Sequence, residues 1–192
     1  MRLSHVFPAA ALAALCVSTF APATARAQVS LSLGGGPTFP ISNLNDTYST
    51  GYNVMAALGV HIPTSPFGIR LDGMFNQLPD RPDLFGGTSF HRQIWTANAN
   101  LLASLVPGGP VVPYLIAGVG FYNSNFNLSA SNNSLSGNGS TNDNDLGVNG
   151  GGGVRVNFGG IGIFGEARYH YIFSSGTHLQ MIPITFGVRF GG

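Results

Sequence analysis

The chain has 192 residues, 8 basic and 7 acidic side chains, and a formal net charge of +1. Charged residues make up 8% of it, against roughly 25% in ordinary soluble domains, and none of the bases is Lys. This composition excludes the basic face of a nucleic-acid binder, the high charge of a disordered chain and the Lys- and Glu-rich surface of a soluble cytoplasmic enzyme.

Residues 1–27 read as an export signal. Arg2 supplies a positive start, an apolar stretch runs from Val6 to Phe20, and Ala25-Arg26-Ala27 has the small-x-small form of a signal-peptidase site. Cleavage before Gln28 leaves 165 of the 192 residues. The one cysteine, Cys16, lies inside the leader and follows Leu15, where a lipoprotein signal would place a small residue. The mature chain therefore has no disulfide and no thiol chemistry. It contains no apolar run long enough for a spanning helix.

From Gln28 onward the dominant signal is a period of two, the signature of half-buried strands. In chain order the alternating segments are residues 29–39, 52–62, 69–78, 92–105, 113–122, 146–158, 161–171 and 182–190. The first sets Val29, Leu31, Leu33 and Phe39 against Ser30, Ser32 and Thr38. The seventh sets Ile161, Ile163, Ala167, Tyr169 and Tyr171 against Glu166, Arg168 and His170. Seven strand charges, Arg70, Asp72, Arg92, Arg155, Glu166, Arg168 and Arg189, all fall on the polar face. The connections alternate between long and short. Long polar ones are expected at 40–50, 79–90, 127–145 and 174–180, and short ones at 63–67, 107–111 and 159–160. This is the rhythm of an all-β, eight-stranded antiparallel up-and-down transmembrane β-barrel with turns at one rim and loops at the other. Ten or eleven residues at about 3.3 Å each, tilted about 40°, reach roughly 25–28 Å, the height of an outer-membrane apolar band.

A soluble ligand-binding barrel would share the pattern with its apolar face turned inward. Three features favour the membrane. The polar face has too little charge for a solvated surface. It is rich in small residues, which leave room for larger side chains in a narrow interior. Phe39, Tyr52, Trp95, Phe121, Phe158, Tyr169, Tyr171 and Phe190 lie on the apolar face near segment ends, as interfacial girdles require.

Several segments resemble the small eight-stranded outer-membrane barrels of the OmpA/OmpX type. They are Pro113-Tyr114-Leu115-Ile116-Ala117-Gly118-Val119-Gly120-Phe121, Gly151-Gly152-Gly153-Val154-Arg155-Val156, Glu166-Ala167-Arg168-Tyr169 and Ile184-Thr185-Phe186-Gly187-Val188-Arg189-Phe190. The resemblance covers residues 28–192 and implies a barrel of the outer membrane of a Gram-negative-type bacterium. It also implies outer-membrane lipid and lipopolysaccharide around the barrel, and an assembly machinery that reads the last strand. Members usually end on an aromatic residue, whereas here Gly191-Gly192 follows Phe190. No periplasmic domain is expected after the barrel, so peptidoglycan anchoring is not implied.

Arg70, Asp72, Arg155, Glu166, Arg168 and Arg189 are the candidate site residues. They could form a selectivity lining or a buried ion-pair network. In eight strands the side chains nearly fill the interior, so the network is the favoured reading. Glu166 is expected to pair with at least one of Arg155, Arg168 and Arg189, because an unpaired buried charge is costly. A hydrolytic centre built on His170 and Ser174, with His61, His91, His178 and Ser175 elsewhere, lacks the His-x-Ser spacing of barrel lipid A deacylases and faces away from lipid. Asp143 and Asp145 lie in a polar loop without a calcium-loop spacing. Five of the seven acids, Asp46, Asp80, Asp83, Asp143 and Asp145, fall in the long loops, placed to meet divalent ions at lipopolysaccharide headgroups. The run 150–153 has no helix after it and so reads as strand rather than a phosphate loop.

The expected protein is a monomeric, non-enzymatic outer-membrane barrel without cofactor, metal or nucleic-acid partner. Both ends lie in the periplasm, and its role is envelope structure and surface display through four loops. Two other readings stand beside it: a small pore or a transport path for small hydrophobic molecules, and a soluble periplasmic barrel that carries an apolar ligand.

Overall fold

The computed structural model describes residues 28–42, 48–61, 65–79, 89–129, 142–174 and 178–191. The expected leader, 1–27, lies outside the described residues. Eight strands follow one another: β1 (Gln28–Ile41), β2 (Gly51–His61), β3 (Phe67–Pro79), β4 (Ser89–Ser104), β5 (Val111–Ser129), β6 (Asn142–Phe158), β7 (Ile161–Phe173) and β8 (Leu179–Phe190). Each pairs antiparallel with its neighbour, and β1 pairs with β8, from Leu31↔Phe190 to Ile41↔Gln180, so the sheet closes into a barrel. Closure satisfies the backbone N–H and C=O groups without help from solvent, as lipid demands.

The alternation sorts side chains as its period requires. Val29, Leu31 and Leu33 of β1, Val54 and Leu58 of β2, Leu115 and Val119 of β5, and Ile161 and Ile163 of β7 all point out of the barrel and are exposed. Ser30, Ser32, Asn53, Asn98, Asn100, Glu166 and Arg168, on the opposite face of their strands, are buried inside. The outer wall is therefore apolar, and the polar and charged strand residues turn inward. A barrel in water would bury its apolar face, so this arrangement counts against the soluble alternative.

Aromatic side chains mark the level of the membrane surface on the long-loop side. Phe75 stands 4.7 Å from Trp95 and 6.2 Å from Tyr52, ring centre to ring centre, across three adjacent strands. The Tyr52 hydroxyl donates to Gln77 at 3.0 Å, which gives the ring a wet end and a dry one.

Two connections are shorter than the alternation implies. The segment expected as a loop over 127–145 is strand at both ends, because β5 runs to Ser129 and β6 starts at Asn142. Likewise β4 begins at Ser89, inside the loop expected over 79–90. Pairing continues through Asn125↔Asn142 and Ser89↔Ser129. A ladder needs only backbone groups, so it outlasts the apolar alternation, which stops where the hydrocarbon stops. At the other rim, Gly159 takes φ 70° in the two-residue link between β6 and β7, a conformation that tight hairpin turns need.

Glycine inside the barrel is matched to bulk. A side chain at Gly153 would meet the Tyr114 ring and hydroxyl at 2.6–2.7 Å, one at Gly147 the Tyr122 ring at 2.6 Å, and one at Gly187 the Phe164 ring at 2.7 Å. Each of these three rings lies across the bare backbone of a neighbouring strand, and Gly153 belongs to the run 150–153 that is strand, as expected.

Two outcomes are expected. Val119→Arg puts a charge near the middle of the apolar wall and should lower the unfolding free energy by about 2–4 kcal/mol in urea titrations of vesicle-embedded protein. Gly153→Val, which collides with Tyr114, should cost about 1–3 kcal/mol by overpacking, clearly more than the same change at outward-facing Gly152 in the same assay.

Candidate functional site

Four of the lumen charges gather into one ring that crosses the barrel. Arg70 and Asp72 project from β3, and Glu166 and Arg168 from β7 on the opposite wall. All four are buried. Arg70 reaches across as a fork, donating from Nη1 to Glu166 Oε2 at 2.8 Å and from Nη2 to Oε1 at 2.7 Å. Arg168 Nε stands 2.9 Å from Glu166 Oε1. Its Nη1 donates to Asp72 Oδ1 and Oδ2 at 3.0 and 3.2 Å. Arg70 Nε closes the ring on Asp72 Oδ1 at 3.3 Å. Two guanidiniums and two carboxylates make the cluster neutral.

Neutral donors complete it. Tyr114 Oη donates to Glu166 Oε2 at 2.7 Å. Asn100 and Asn98 donate from Nδ2 to Asp72 Oδ1 and Oδ2 at 2.7 and 2.9 Å. Burying an ion costs several kcal/mol, and that cost is offset only when its remaining hydrogen-bonding capacity is filled. These three side chains, from β5 and β4, fill it for the carboxylates.

Towards the long loops the ring is capped twice. Thr38, Asn53, Asn76 and Thr185 form a hydrogen-bonded layer that joins β1, β2, β3 and β8. Thr38 Oγ1 donates to Asn76 Oδ1 at 2.9 Å, and Thr185 Oγ1 to Asn53 Oδ1 at 2.9 Å. Beyond it Tyr48, Leu78, Ile94, Tyr122, Ile172, Leu179 and Met181 pack as a buried apolar cluster inside the mouth. Towards the short turns the lumen widens into a cavity of about 40 Å³ that reaches up to Arg70.

Of the six residues the sequence singles out, the structure joins Arg70, Asp72, Glu166 and Arg168. Glu166 does pair with Arg168, as expected, but its fork-shaped partner is Arg70, which the sequence does not match to it. Arg155 and Arg189 stand apart from the ring. They line the short-turn cavity and make no ion pair with a carboxylate among the described residues. Sequence reasoning misses Asn98, Asn100 and Tyr114 as parts of the network, since their only signal is lumen parity. It also misses the apolar cluster, although lumen positions do turn from polar to apolar along Arg168, His170, Ile172 and from Asn76 to Leu78.

Among the described residues no hydrolytic arrangement forms around His170. It is fully buried, its Nδ1 lies 2.8 Å from the Tyr122 hydroxyl, and the backbone N–H of Ser174 donates to Ile172 O. His178 stacks against Tyr171 with ring centres 5.1 Å apart. Ser175 and the side chain of His91 lie outside the described residues. Asp143 is exposed, and no group of three metal-ligating side chains occurs among the described residues.

This apolar-walled, ion-pair-filled barrel can be set beside known proteins. The family model for the outer membrane protein β-barrel domain matches residues 7–190. The chain belongs to that family. Among solved structures it is similar to a major outer membrane protein from Thermus thermophilus, at 17% identity and a TM-score of 0.65, over 87% of this chain and 100% of that one. It is also similar to the Neisserial surface protein A, at 17% identity and a TM-score of 0.62, over 85% of this chain and 96% of that one. OprG from Pseudomonas aeruginosa matches at 11% identity and a TM-score of 0.53, over 88% of this chain and 97% of that one. No curated protein matches in sequence. At such identities the likeness is one of fold.

Glu166→Ala leaves Arg70 and Arg168 with only Asp72 between them. The expected loss of unfolding free energy is about 3–5 kcal/mol, read from urea titration in phospholipid vesicles. A loss below about 1 kcal/mol would mean the ring adds nothing to stability.

Proposed function

We propose that the protein is a non-enzymatic, monomeric barrel of the Gram-negative-type outer membrane that contributes envelope structure and surface display, with its lumen closed. In this reading it is exported with residues 1–27 removed before Gln28. It assembles through its last strand on the barrel assembly machinery and sits among outer-membrane lipid and lipopolysaccharide. The observation that carries it is the stack inside the barrel. A neutral four-charge ring, an amide and hydroxyl layer and an apolar cluster follow one another along the axis and leave the working surface to the wall and the loops. Family membership supports the location, and likeness to a Neisserial surface protein supports display at a surface.

The test is conductance in planar lipid bilayers. The wild-type protein is expected to give no steady current. Stable channels that vanish on replacing Arg70 or Arg168 would overturn the closed-lumen reading in favour of a pore. That second reading has one observation behind it: the short-turn cavity already extends up to Arg70 of the ring. Mass measurement of the purified outer-membrane protein checks the cleavage before Gln28.

A further inference from the structure

The lumen charges are divided unevenly between ring and cavity. The ring balances two cations with two anions. The cavity below it, at the short-turn rim, is lined by Arg155 of β6, Arg189 of β8 and His61 of β2, together with the hydroxyls of Ser30, Ser32 and Ser104. Arg155 and Arg189 flank β7, paired with Phe164 and Gly162, two residues apart on that strand. Neither has a carboxylate within 4.0 Å among the described residues. Arg155 Nε is buried with no hydrogen-bond partner among the described residues. Among the described residues the hydroxyl of Ser30 makes only a long contact, 3.5 Å to Gly59 O. The two carboxylates of the ring are already filled by Arg70, Arg168, Asn98, Asn100 and Tyr114 and have little capacity left to serve the cavity.

We propose that this cavity is a binding site for a single phosphate-type oxyanion, held by the guanidiniums of Arg155 and Arg189. The chemistry is one-sided. Two guanidiniums and three hydroxyls offer many donors to one small space, while two like charges repel each other until an anion comes between them. Guanidinium forks match the oxygen spacing of phosphate and form charge-assisted bonds of about twice neutral strength. A volume of about 40 Å³ is room for roughly three ordered waters, which suits one tetrahedral oxyanion and no large ligand. In the family's topology short turns face the periplasm, so the anion would be either free phosphate there or the headgroup phosphate of an inner-leaflet phospholipid at the rim. The site needs no conduction through the ring and stands or falls apart from the closed-lumen reading.

Amide chemical shifts of the isotope-labelled barrel in dodecyl maltoside micelles, titrated with inorganic phosphate at constant ionic strength, test it. Saturable shifts are expected at Ser32, Gly59, Arg155 and Arg189. The double variant Arg155→Gln/Arg189→Gln should bind at least about tenfold more weakly, and Arg92→Gln, at the opposite end of the lumen, should bind as wild type does. Heat-dependent gel mobility confirms folding of each variant. Should the Gln pair not fold, Arg155→Lys/Arg189→Lys keeps both charges, loses both forks and should weaken binding by a smaller factor. Native mass spectrometry of protein extracted from membranes separates the sources. A phospholipid retained by wild type and lost from the double variant assigns the site to a headgroup, and phosphate binding without retained lipid assigns it to the soluble ion. No saturable shift and no retained lipid in wild type, or identical behaviour in wild type and the double variant, would overturn the site.

Discussion

A backbone amide in hydrocarbon must find its partner within the protein, and the shape of this molecule follows from that. A flat sheet would leave two edges unpaired in lipid, so β1 must meet β8. Closing eight strands leaves an interior just wide enough for side chains. The residues that point inward are then confined together, whatever their charge. The four-charge ring is the solution adopted here: it turns confinement into pairing. Tyr114, Asn98 and Asn100 serve the same end, since each carboxylate keeps more acceptor capacity than two guanidiniums use.

Packing inside the barrel obeys the same confinement. Tyr114, Tyr122 and Phe164 are too long for a narrow cylinder unless the neighbouring strand offers no side chain at the point of contact, which Gly153, Gly147 and Gly187 provide. The glycine content that looks permissive in the sequence is complementary in the structure. Each of these bare positions lies beneath a particular ring.

The strands, their order and the direction of the apolar wall were legible in the sequence, because period-two alternation reports directly on which face meets lipid. The partners within the lumen were not. Glu166 and Arg70 are far apart in the chain and on opposite walls, and their meeting depends on barrel stagger, which alternation does not encode. Arg155 shows the limit well. By residue type and parity it looks like a partner of Glu166, yet its register, paired with Phe164, carries it to the short-turn cavity. The extra length of β5 and β6 escaped for a different reason. Beyond the membrane a strand no longer needs an apolar side, so Asn142–Asp145 pairs like a strand while reading like a loop.

Those same residues carry a consequence of their own. The β6–β7 ladder ends at Leu146↔Phe173, both apolar and facing outward, whereas β6 continues to pair with β5 through Asn142. Above that level, among the described residues, the side of β6 that faced β7 has no strand beside it. A strand side left without a ladder is permissible only outside lipid. The cylinder is thus a complete ring where the surroundings are dry and an open palisade of β4, β5 and β6 where they are wet. The height at which one wall parts from the next is a waterline written in hydrogen bonds.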